Sequence, residues 1–123
     1  MLEILYKKIY ELLKTLDVDV YNMYKINSLV FPYISYSLYT TVVNNEYGNE
    51  NFTLTIDVFD KNTDNLRIIQ LVDNVSKTLN NYKLSEQKYF LQITKISNQE
   101  VPDTAENVRH FVMRFKIKTI SVD

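Results

Sequence analysis

The chain has 123 residues, of which 46% are apolar and 24% charged, with one Gly and two Pro. That length fits a single domain over residues 1–123, and folding at this size buries roughly two-thirds of the surface the unfolded chain exposes, enough for one ordinary core. A net charge of −1 supplies no global drive toward nucleic acid or an anionic membrane. The lack of cysteine rules out disulfides, thiolate metal sites and a Cys nucleophile.

The first segment predicts a helix. Leu2, Leu5, Tyr6, Ile9, Leu12, Leu13 and Leu16 recur at spacings of three and four, and Glu3, Lys7, Lys8, Glu11 and Lys14 fill the other side. Those charges also interrupt the apolar start, so no signal-peptide core forms. No run approaches the ~20 apolar residues of a membrane-spanning helix. The helix is expected to end near Thr15 to Asp17. Val18 to Phe31 reads as irregular, with a short strand possible where Asp17 to Tyr21 alternates weakly.

Pro32 punctuates the entry to the next element, since proline is tolerated at a strand start but not inside a central strand. Tyr33 to Val43 is rich in Tyr, Thr, Val and Ile and predicts a strand. Asn44 to Asn51 holds the only Gly and reads as a hairpin loop, returning into the alternating strand Phe52 to Phe59. Thr63 or Asp64 can cap a second helix, whose apolar stripe is read as Leu66, Ile69, Val72, Val75 and Leu79 and whose end falls near Asn80 and Asn81. Tyr89 to Ile96 is a third strand, Ser97 to Asn107 a polar loop, and Val108 to Ile120 a long fourth strand. In that last strand Phe111, Met113, Phe115 and Ile117 face one way, while His110, Arg114, Lys116 and Lys118 face the other.

The expected fold is therefore α+β, a two-layer sandwich in the order α-β-β-α-β-β. It has a mainly antiparallel four-stranded sheet and two helices packed on one face. Phe52, Leu54, Ile56 and Val58 are assigned to the buried face, and Thr53, Thr55, Asp57 and Phe59 to the opposite one. A four-stranded open sheet leaves two borders with unpaired backbone groups, which assembling proteins use.

Candidate chemistry is sparse. His110 is the only histidine; it lacks a second His or a Cys for a metal and reads as a surface residue on a polar strand face. Asp17 and Asp19, and Asp57, Asp60 and Asp64, read as caps and solvated turns rather than a calcium loop. No serine lies in a nucleophile elbow, and one Gly cannot build a phosphate-cradling loop. No catalytic, cofactor or metal site is expected. Arg109, Arg114, Lys116 and Lys118 make a basic stripe. It reads as a solubility device, as a contact for an acidic neighbour, or as a track for a nucleic-acid backbone.

The ten tyrosines fit half-buried sheet faces and subunit contacts. They also fit a composition rich in Asn, Lys, Ile and Tyr.

Several of these segments together resemble the tail terminator, or tail-to-head joining, proteins of long-tailed bacteriophages. The segments are the opening helix, Phe31-Pro32-Tyr33 entering the first strand, and Leu54 to Phe59 running toward the helix with Leu71 to Leu79. The closing strand Val108 to Ile117 completes the pattern. The resemblance spans most of the chain and rests on pattern and order. It implies a non-enzymatic virion protein at the tail–head junction, assembled in the bacterial cytoplasm. Its subunits form a homo-oligomeric ring, commonly a hexamer, that stops tail-tube polymerisation and meets the capsid connector or head-closure protein. DNA passes through the lumen without specific binding, and no membrane is involved.

Under this reading ring contacts use a sheet edge at Tyr33 to Val43 (Tyr36, Tyr39) or at Val108 to Ile120 (Arg114, Lys116). Contacts to tail tube or connector use the Ser97 to Asn107 loop and the first hairpin loop (Asn45, Glu46, Tyr47). The alternatives are another neck component, such as a connector adaptor or head-closure protein, and a small nucleic-acid-binding module using the basic last strand.

Overall fold

The computed structural model describes residues 1–22, 30–44, 49–61, 65–102 and 107–121. Two helices and six strands follow one another as α1 (Leu2–Lys14), β1 (Asp19–Asn22), β2 (Tyr33–Asn44), β3 (Asn49–Lys61), α2 (Asn65–Leu79), β4 (Lys83–Ser85), β5 (Tyr89–Val101) and β6 (Val108–Ser121). The strands form one sheet in the order β1-β2-β3-β6-β5-β4. β1 runs parallel to β2 and every other pair is antiparallel.

This corrects the expected four-stranded antiparallel α-β-β-α-β-β sandwich: the molecule is mostly β, a mixed six-stranded sheet curled into a half-barrel. The added strands are short. β1 has four residues and β4 three; β1 falls where the weak alternation of Asp17 to Tyr21 makes a short strand possible, and β4 is too short for an alternation to declare itself. The long strands also outrun their expected bounds. The segment expected as a hairpin loop is strand at Asn44 and again from Asn49, and β5 continues to Val101 through much of the segment expected as a polar loop.

Pairing of β3 with β6 runs without a break from Asn49↔Ile120 to Lys61↔Val108. Even-numbered β3 residues and odd-numbered β6 residues therefore share one face. Phe52, Leu54, Ile56, Val58, Met113, Phe115 and Ile117 are all buried there under the helices, and Phe111 packs against them partly buried. Leu5, Ile9 and Leu13 of α1 close that core from above.

The stripe of α2 differs from the expected one. Ile68, Leu71, Val72, Val75 and Leu79 are buried, whereas Leu66 is 68% exposed and Ile69 43% exposed. The reason is helical phase. Each step of three falls short of a 3.6-residue turn by about 60°, so three such steps from residue 66 to 75 carry the stripe about halfway round the helix. Val72, Val75 and Leu79 belong to both readings; Ile68 replaces Leu66.

The helices stop where asparagine or aspartate takes a left-handed conformation that most residues avoid. Asp17 follows α1 with φ 59° and Asn81 follows α2 with φ 64°. Thr15 closes α1 from its side chain, donating its hydroxyl to the Leu12 carbonyl at 2.6 Å.

The phase of α2 makes a direct prediction. Ile68→Ala should destabilise the protein by about 2–4 kcal/mol, as expected for emptying a filled core site. Leu66→Ala should change it by less than about 0.5 kcal/mol. Urea denaturation of the two variants measures both.

Candidate functional site

Among the described residues, the borders of the sheet are only half covered. At one border β1 lies beside β2 from Tyr33 to Tyr36. The Tyr6 hydroxyl of α1 then takes over, donating to the Leu38 carbonyl at 3.4 Å and accepting from the Leu38 N–H at 3.3 Å. Those bonds show that the Leu38 backbone points away from β3. Thr40, two residues on, points the same way by strand alternation. Among the described residues no strand lies on the side of β2 away from β3 from Thr40 to Asn44.

At the other border β4 pairs with β5 at Phe90 to Gln92. The turn after α2 covers the next stretch: Asn81 N–H donates to the Ile93 carbonyl and Ile93 N–H to the Tyr82 carbonyl, both at 2.9 Å. Asn80 Oδ1 accepts from the Lys95 N–H at 2.9 Å. Beyond that, on the side of β5 away from β6, Ile96 to Val101 has no strand beside it among the described residues. A register shift between Lys95 and Ser97 makes Ile96 a bulge residue, and it is 60% exposed. The two open half-borders lie on opposite sides of the sheet and toward opposite ends of its strands.

The predicted contact residues separate into groups. Tyr36 is buried on the helix face, its ring 5.9 Å from that of Tyr6 and its hydroxyl donating to the Tyr6 carbonyl at 3.4 Å. Burial, with smaller contributions from Tyr6 and Tyr10, pushes its hydroxyl pKa up to about 12. Tyr39 is 54% exposed on the outer face. Arg114 and Lys116 are exposed on that same outer face. The expectation that their strand is an edge is corrected, because β6 sits between β3 and β5. Asn45, Glu46 and Tyr47 lie outside the described residues, as do the expected helix caps Thr63 and Asp64.

Sequence reasoning missed a ladder of rings on the outer face, toward the end where β3 finishes. Tyr21 meets Tyr33 edge-on at 5.9 Å, Tyr33 stacks on Phe59 at 4.7 Å, and Phe59 stacks on His110 at 4.1 Å. His110 Nε2 lies 2.7 Å from Asp57 Oδ1. His110 is thus a half-buried cross-strand partner rather than the surface histidine expected. The parity of Tyr33, Phe59 and His110 in the strand register is the signal that links them, and it becomes readable only once the pairing is known.

Two ion pairs tie the same end of the sheet together on the helix face. Asp60 is fully buried, which corrects its reading as a solvated turn residue. Its carboxylate accepts from both Nε and Nη2 of Arg67 and from the Lys61 N–H, stapling the end of β3 to the first turn of α2. Arg109 reaches Glu100 with two bonds of 2.8 and 3.0 Å across β5 and β6. The Arg109 guanidinium holds the Glu100 carboxyl below its usual value.

No family model matches the sequence, and no curated protein sequence matches it. Among solved structures, a chain in the virion of a native gene transfer agent particle has the same fold. The TM-score is 0.72 at 14% identity, with 92% of each chain covered.

Removing Arg67 leaves the Asp60 carboxylate buried without its counter-charge. Breaking a buried pair costs about 3–5 kcal/mol, and the half-exposed guanidinium places Arg67→Met at the low end, about 3 kcal/mol. Lys77→Met on the exposed face of α2 should stay within about 0.5 kcal/mol. Paired urea titrations measure the difference.

Proposed function

We propose that this chain is a non-enzymatic structural protein of a phage-type virion, a tail terminator subunit that caps the tail tube and meets the capsid connector. The observation that carries this reading is the shared fold with a gene transfer agent virion chain over 92% of both molecules. The sequence resemblance to tail terminators supports the finer assignment.

The two open half-borders supply a physical basis for the ring. An interface made from two different patches on opposite sides of a subunit is heterologous, and it propagates head to tail until rotation closes it. In the proposed joint the Thr40 to Asn44 stretch of one copy pairs with the Ile96 to Val101 stretch of the next. Strand addition of this kind draws its affinity from main-chain hydrogen bonds. A groove lined by Tyr6, Tyr10, Tyr21 and Tyr36 flanks the β2 border. Rings with polar tips suit a contact that is dry at its centre and wet at its rim. A hexamer is the expected closed form.

Deleting the gene in the phage that carries it tests the function. Tails of uncontrolled length, unattached to full heads, are the expected result. Normal-length tails would move the protein elsewhere in the neck, to a connector adaptor or head-closure role. Complementing the deletion with Thr40→Pro, which removes an outward-facing donor without touching the β2–β3 ladder, should fail to restore tail length. Full rescue by Thr40→Pro would overturn the joint while leaving the terminator role standing.

A further inference from the structure

We infer that the outer face of the sheet is a docking surface for the phosphodiester backbone of DNA, built on the β6 side chains Arg114, Lys116 and Lys118. The inference does not rest on ring formation; in a ring it would identify the face that lines the bore.

The three cations occupy alternate positions of one strand, all exposed, so neighbours stand ~6.8 Å apart. Their cross-strand neighbours carry no charge. Arg114 lies between Thr55 and Ser97, Lys116 between Thr53 and Thr94, and Lys118 between Asn51 and Gln92. One strand further, Lys83 pairs with Gln92 and is exposed, placing a fourth cation about 10 Å from Lys118. Of the described carboxylates on this face, Asp57 stands one outward position beyond Thr55, diagonal to Arg114 and held by His110, so it bounds the band at that end, and Asp19 lies farther off beside Tyr33.

Two bland explanations fit poorly. Lysines that blunt a sheet edge belong on edge strands, and β6 is central. Charges that keep a surface soluble are normally interspersed in sign, whereas this band carries one sign along three successive outward positions. Like charges so placed repel each other, and a polyanion relieves that repulsion. Threonine, serine and amide side chains beside each cation are the groups that supplement Arg and Lys at phosphates. The overall charge of −1 is no obstacle, because the band is local.

The test measures binding of the full chain to a short mixed-sequence DNA duplex as salt is raised. Four cations that neutralise phosphates should cost on the order of 100-fold in affinity between about 50 and 200 mM salt. The triple variant Arg114→Gln, Lys116→Gln, Lys118→Gln should lose only a few-fold over the same range. The control variant Lys7→Gln, Lys14→Gln, Lys77→Gln, which removes exposed helix cations, should keep the wild-type dependence. Duplex binding that is absent at low salt, or a triple variant with the wild-type salt dependence, would overturn the inference. Poly-glutamate competing as well as the duplex would assign the face to an acidic protein instead.

Discussion

The uninterrupted antiparallel pairing of β3 with β6 is the constraint on which the rest of the molecule depends. Thirteen β3 residues hold their partners in one register. A slip of one residue would turn every β6 side chain to the other face. Arg114, Lys116 and Lys118 would then enter the core beneath the helices, at several kcal/mol for each ion left without a partner. Phe115 and Ile117 would be stranded outside. The apolar side that seats both helices and the cationic side that faces out are two consequences of the same register.

A sheet whose centre is so firmly specified has its liabilities at the borders. Each border carries a short strand at one end and nothing at the other among the described residues, and the covered ends are opposite. A protein that acted as an isolated subunit would gain from covering both lengths. Here α1 contributes one hydroxyl, from Tyr6, and the turn after α2 contributes Asn80, Asn81 and Tyr82. Each protects part of a border and stops short of its open half. The proposed self-association uses what these groups leave.

What could be read from the sequence follows how far each element depends on its own residues. The long strands and both helices declare themselves, because Phe52 to Val58 and Met113 to Ile117 alternate between core and solvent along their whole length. β1 shows only as the weak alternation from Asp17 to Tyr21 and β4 not at all, since three or four residues hold too few alternations and their strand character comes from the neighbour they pair with. The far half of β5, Ser97 to Glu100, is mostly exposed and carries little apolar content, so it reads as loop. The α2 stripe failed at Leu66 because repeated steps of three drift round the helix. Among candidate contacts, exposure was readable for Arg114 and Lys116 from alternation. Alternation also separates Tyr36, in phase with Ile34 and Leu38, from Tyr39, a distinction that grouping both as contacts does not use. The Asp57–His110 pair, 53 positions apart in sequence, has no local signal.

The chain has no cysteine, so a designed pair would be the only thiols present. The central claim, that copies join through opposite half-borders, is tested most directly by placing Thr40→Cys and Asn98→Cys in one chain and oxidising it. Disulfides form only between Cα atoms within about 7 Å. The account predicts a ladder of covalent oligomers that ends at a single closed species. A product that stays monomeric, or stops at a dimer, would contradict it.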